Sequence, residues 1–164
     1  MTPILDVVEE HAATHSLLTR AEARDVRTRW RQIFAKPLFA ATGKWRLLGY
    51  DWHTFSYDYA PALEGERALQ AYREQKPAEV YILPDGANAP EVGLRASFVG
   101  KTLPDFGRVD VLVSPADLEW TMAFTHEFGW IGPYFATASE ALEQAERQLA
   151  RPQPRARPRP SRRR

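Results

Sequence analysis

The chain has 164 residues, no cysteine and a net charge of +1. That length suits one domain, with a core large enough to need no disulfide or metal staple. Without cysteine there are no disulfides, thiolate zinc sites or cysteine nucleophiles, which fits a reducing cytoplasm.

The charge is divided along the chain. Residues 151–164 hold seven arginines and no acid, so the 22 basic residues less these seven leave 15 against 21 acidic ones, about −6 for residues 1–150. An acidic body favours a cationic partner over nucleic acid. No run reaches the roughly 18 apolar residues of a membrane span. The start, MTPILDVVEEHAATHS, is acidic where a signal peptide would be basic.

Residues 3–15 are expected to form a first helix, with Ile4, Val8 and Ala12 as its apolar stripe and Pro3 in its first turn. Thr19 and Glu22 stand at capping-box spacing before a second helix, whose core face is Ala23, Val26, Trp30, Ile33 and Phe34; Pro37 is expected to end it. Residues 38–49 read as a loop or irregular strand, and the aromatic run Tyr50–Tyr57 as a strand broken by Pro61. A third helix is expected over 63–75, with Leu69 and Tyr72 inward.

Glu79–Leu83 reads as a central strand, apolar on both faces. After the turn-rich PDGANAP segment, 84–90, Glu91–Phe98 alternates and should pair with it as an antiparallel hairpin. Val109–Val113 is the next strand, and SPAD at 114–117 turns it into another, with Pro115 setting the turn's φ. From Leu118 to Glu127 the residues alternate. Leu118, Trp120, Met122, Phe124 and His126 should face a core, and Glu119, Thr121, Ala123, Thr125 and Glu127 should be mostly solvated. A short strand at Tyr134–Ala136 and a last helix at Ser139–Ala150, striped by Leu142, Ala145 and Leu149, complete the order. Hairpins in the middle, rather than alternating strand–helix units, imply an α+β domain over 1–150 with a mainly antiparallel sheet of about five strands packed with helices. The tail 151–164, RPQPRARPRPSRRR, repels itself and buries nothing, so disorder is expected.

Several residues carry candidate chemistry. His11 and His15 stand at helical metal-ligand spacing, but two dispersed ligands make no closed site, and neither metal nor cofactor is expected. His53 and His126 lie on different predicted strands. If the fold joins them, His53, His126 and Glu127 form an acid–base set for a small hydrolase or a nucleic-acid-processing enzyme, although alternation sends Glu127 to the face opposite His126. Trp120 belongs to the core, whereas Trp130, between Gly129 and Gly132-Pro133, sits in a loop; Trp130, Tyr134 and Phe135 make the candidate binding surface. Arg20, Arg24, Arg27 and Arg31 follow helical steps and read as a solvated face. ATGK at 41–44 is no phosphate loop, since Leu38 stands where its first glycine should be and Trp45 where its Ser or Thr should be. In the tail, Arg151, Arg155, Arg157, Arg159, Arg162, Arg163 and Arg164 offer weak, sequence-independent contact to polyanions.

WHTFSY at 52–57, LEGERALQAY at 63–72 and DVLVSPADLEWTMAFTHEFGWIGPYF at 110–135 together resemble a group of small uncharacterised bacterial proteins. Their shared pattern is a W-x4-T-H-E strand followed by a G-P-Y-F ending. Similar hairpins occur in immunity proteins encoded beside polymorphic toxins. The resemblance implies a non-enzymatic protein-binding domain of immunity or antitoxin type, whose acidic body would meet a basic protein partner. It carries no known active site.

Overall fold

The computed structural model describes residues 1–87, 89 and 91–151. The first helix, α1, is Thr2–His11, shorter than its apolar spacing suggests. Ala12 is already extended, and residues 14–17 form an edge strand, β1 (Thr14–Leu17). β-Branched Thr14 and the short polar Ser16 favour that change, and pairing with a later strand secures it. His11 and His15 therefore lie on different elements and lose their helical spacing.

Helix α2 (Arg20–Phe34) begins as expected, with both capping-box bonds formed: Glu22 N–H donates to Thr19 Oγ1, and Thr19 N–H donates to Glu22 Oε2. Pro37 does not stop helical structure. It lies in the first turn of α3 (Lys36–Thr42), where its missing N–H costs nothing, and replaces the expected loop. Residues 50–57 are not a strand either: a turn leads into a single helical turn, α4 (His53–Ser56). The aromatic composition favours strand, but a buried carboxylate takes the backbone amides of Asp51 and Trp52. The predicted third helix divides at Gly65, whose φ is 66°, into β2 (Leu63–Glu64) and α5 (Glu66–Arg73).

The remaining elements are β3 (Val80–Pro84), β4 (Leu94–Ser97), β5 (Val111–Pro115), β6 (Trp120–Phe124), β7 (Tyr134–Thr137) and α6 (Ala138–Ala150). They give an α+β fold with one seven-stranded sheet, ordered β1-β4-β3-β5-β6-β7-β2, in which every pairing is antiparallel. The sheet has seven strands where about five were expected; β1 and β2, which were not among the expected elements, are short edges.

Helices cover both faces. On one, Ile4 and Val8 of α1 and Leu69 and Tyr72 of α5 pack on Ile82, Val113, Met122 and their neighbours. On the other, Val26, Trp30 and Phe34 of α2, Phe55 of α4 and Ala141 of α6 pack on Leu83, Leu112, Ala123 and Ala136. This second layer overturns the expected solvated face of β6: Thr121, Ala123 and Thr125 are all buried. Alternation reads threonine as water-facing. Here the Thr121 hydroxyl is satisfied internally, accepting from Trp30 Nε1 at 2.8 Å and from Ser114 Oγ at 2.9 Å.

The β5–β6 turn also differs in detail. Pro115 ends β5 and its carbonyl accepts from Leu118 N–H, so it precedes the central turn positions. Leu118 adopts φ 57°, which sends it to the α2 side while Trp120 faces α5. In α6 the inward positions are Ala141 and Ala145; Leu142 and Leu149 are exposed. Small residues let α6 lie close to its neighbours.

A histidine and carboxylate site at one end of the sheet

The antiparallel register places the end of β3, the start of β5 and the end of β6 together. Pro84 faces Val111, and Val111 faces Phe124. The next residue at each position is polar: Asp85 after β3, Asp110 before β5, and Thr125-His126 after β6. The 43–58 segment folds over this end and adds Tyr50, Asp51, Trp52 and His53.

Asp85 anchors that segment. Its carboxylate accepts from the amides of Asp51, Trp52 and Gly86 at 2.8–3.0 Å. Asp51 is buried beside it and takes a bidentate pair of bonds from Arg31, 2.7 and 2.9 Å. Arg27 Nη1 stands 3.7 Å from Asp51 and Nη2 donates to the Pro84 carbonyl; Arg46 donates to the carbonyls of Gly49 and Gly86. The arginine stripe of α2 is thus split. Arg20 and Arg24 are exposed and pair with Glu91, whereas Arg27 and Arg31 turn inward to neutralise buried aspartates. Helical spacing shows only that these side chains share a side; the aspartates that draw two of them inward are distant in sequence. Burial, and then the neighbouring Asp51 carboxylate, raises the Asp85 pKa to about 6 against the amides that oppose it. Burial likewise pulls the Arg27 guanidinium down, opposed by Asp51 and Asp85.

Asp110 organises the outer part. Its Oδ1 accepts from Trp52 Nε1 at 3.1 Å and from the His126 amide at 3.0 Å, and the carboxylate lies 2.9 Å from His126 Nδ1. Facing a carboxylate, Nδ1 is the donor in this contact. Nε2 is 3.8 Å from Glu127 Oε1, and the His126 side chain is 45% exposed. Glu127 is not sent away from His126, because β6 ends at Phe124 and strand alternation ends with it.

His53 joins the same cluster. Its ring packs on Trp52 with centroids 4.0 Å apart, and its Nδ1 lies 2.7 Å from Ser56 Oγ. Tyr50 touches both imidazoles, at 5.7 Å from His53 and 5.4 Å from His126. The His53 pKa is lowered, first by burial, with Glu127 opposing and His126 adding to the shift. The Tyr50 hydroxyl is raised by burial and by Asp110. A cavity of about 370 Å3 adjoins the cluster on the Tyr50, Asp85 and Asp110 side.

The structure therefore brings His53, His126 and Glu127 together. Asp110, Tyr50, Trp52 and Asp85, which orient them, were not singled out: Trp52 and Asp110 open two of the segments quoted above and Tyr50 begins the aromatic run, but nothing local links any of them to Asp85 or to the two histidines. Among the described residues, no group of three or more His, Asp or Glu is placed to hold a metal ion.

The aromatic surface is narrower than expected. Tyr134 and Phe135 are buried in β7, with Phe135 stacked on Trp120 at 5.6 Å. Trp130 is 90% exposed. Of the tail arginines, Arg151 is exposed and follows α6, while Arg155, Arg157, Arg159, Arg162, Arg163 and Arg164 lie outside the described residues.

These features define a class: a three-layer α+β protein with an antiparallel sheet and a histidine–carboxylate cluster at one sheet end. Residues 23–135, from the first turn of α2 into β7, match the family described as Domain of unknown function (DUF4275), and the chain belongs to that family. The match contains every residue of the cluster and Trp130. No curated protein and no solved structure matches the chain. Among the described residues, no helix is long and apolar enough to cross a membrane.

Proposed function

We propose that the protein is a cytoplasmic, non-enzymatic binding domain of bacterial immunity or antitoxin type, which captures a basic protein partner. The observation that carries this reading is Trp130. Its indole is in solvent, yet its loop is held: the amides of Trp130 and Ile131 both donate to the Glu127 carbonyl, and Thr125 Oγ1 donates to the Ile131 carbonyl at 2.6 Å. A preorganised loop that presents tryptophan to water suits recognition, because little ordering entropy is lost on binding and tryptophan is a common hot-spot residue. The charge of about −6 on residues 1–150 would speed encounter with a basic partner. Co-expression with the product of the neighbouring gene tests this. The two should co-purify, and Trp130→Ala should lose the complex without losing the fold. Binding that is absent, or indifferent to Trp130, overturns the reading.

A second reading rests on the Asp110–His126 pair beside His53. A carboxylate that orients imidazole through Nδ1 leaves Nε2 free to take a proton, and His53, held towards its neutral form, supplies a second proton carrier. Asp110 and Glu127 around it disfavour a polyanionic substrate. Hydrolysis of uncharged ester or amide substrates that His126→Ala abolishes would support this reading over the first.

A further inference from the structure

We propose that the cavity between the start of α5 and the 125–133 loop receives a basic side chain, arginine or lysine, of the protein partner. This rests on the binding reading above and gives the partner's contact residue a chemistry.

The cavity measures about 330 Å3, at the lower end of ligand pockets, and matches a side chain better than a large cofactor. Glu64, Glu66, Leu69, Phe128 and Trp130 line it together with glycines and Pro133, and among the described residues no basic one does. Two glutamates thus line the cavity, with no cation among the described residues of its walls. Glu64 is fixed in place: its Oε1 accepts from the Gly132 amide at 3.1 Å and from the Tyr134 hydroxyl at 3.3 Å. That leaves its other oxygen able to accept from a ligand. Glu66 makes only an exposed contact with Arg73, at 3.4 Å, which water screens. Trp130 provides the strongest aromatic face for a cation.

An apolar side chain would fit less well, because closing the cavity over it would strip water from both carboxylates without giving them a partner. A guanidinium or ammonium gives both carboxylates a donor and packs its stem on Leu69 and Phe128. Guanidinium suits the site particularly, since it stacks on indole and binds carboxylate in one plane.

The test uses the full chain and two small probes, N-acetyl-argininamide and its uncharged isostere N-acetyl-citrullinamide, with the Trp130 indole N–H followed by NMR. The arginine probe should shift that signal saturably, and about tenfold more tightly than the citrulline probe. Glu66→Gln, which alters an exposed side chain, should weaken the arginine probe severalfold while the rest of the spectrum is unchanged. Glu64→Gln keeps an acceptor for Gly132 and should do the same. Equal response to both probes, or none at Trp130, overturns the proposal. If the neighbouring gene product still co-purifies in that case, the binding reading stands and only the pocket fails. If the arginine probe binds as expected while no neighbouring product does, the pocket stands and the immunity-type reading falls.

Discussion

Trp120 and Trp130 are ten positions apart and differ in what surrounds them. Trp120 is buried in β6 against Tyr72 and Phe135, whereas Trp130 stands in solvent. Trp120→Ala should cost about 3–5 kcal/mol, because it leaves a cavity the sheet cannot close. Trp130→Ala should cost less than about 1 kcal/mol, as surface changes do. Urea denaturation of both variants checks this; similar losses would place Trp130 in the core. Asp85 gives a pH test. With its folded pKa raised to about 6, above the ordinary aspartate value near 4, its protonated form favours the fold. Its contribution is therefore full below about pH 4 and is lost as the pH rises to about 6. The stability difference between the wild type and Asp85→Asn should fall over that window and stay level above it. A difference that does not vary with pH would mean that Asp85 titrates as an ordinary aspartate.

At the scale of elements, the 43–58 segment decides whether the site exists. Gly49 has φ 82°, and a Cβ there would come within 2.6 Å of the Ala87 Cβ and 3.0 Å of its Cα. Gly49→Ala should therefore combine left-handed strain with a backbone clash, costing about 1–3 kcal/mol and loosening Tyr50 to His53 from Asp85. Loss of NMR contacts between Tyr50 and His126, with the α2 core signals intact, is the expected signature. Elements with local signals were legible: the Thr19–Glu22 cap of α2, the β3–β4 hairpin, and β7. Those governed by distant partners were not. Tyr50–Tyr57 has strand composition but becomes a turn and α4, because Asp85, 34 and 33 residues on, holds the amides of Asp51 and Trp52. Residues 14–17 leave helix for strand because β4 offers a partner, Thr14 facing Ser97 and Leu17 facing Leu94.

For the whole molecule, every core residue among the described ones lies at or before Ala145. A chain of residues 1–150 should melt cooperatively within a few degrees of full length; a larger drop would mean that the tail packs on the body. The same truncation should abolish duplex DNA binding. For the intact chain that binding should be micromolar or weaker, with a log K against log salt slope no steeper than about −6. Tight binding by residues 1–150 alone would shift attention to exposed Arg20 and Arg24.

By itself the sequence determined the α+β class, the antiparallel hairpins, the capped second helix and the candidate residues His53, His126, Glu127 and Trp130. Periodicity, turn chemistry and caps act over a few residues, so a single chain displays them. Only the tertiary structure decided that helices cover both faces of the sheet, which buried Thr121 and Ala123 where alternation pointed to water. It also decided that Asp85, Asp110 and His126 meet at one sheet end, because antiparallel register joins positions far apart in the chain. Arg27 and Arg31 show the same division. Their place on one side of α2 is local, but their inward turn depends on Asp51, a buried charge that the helix does not contain.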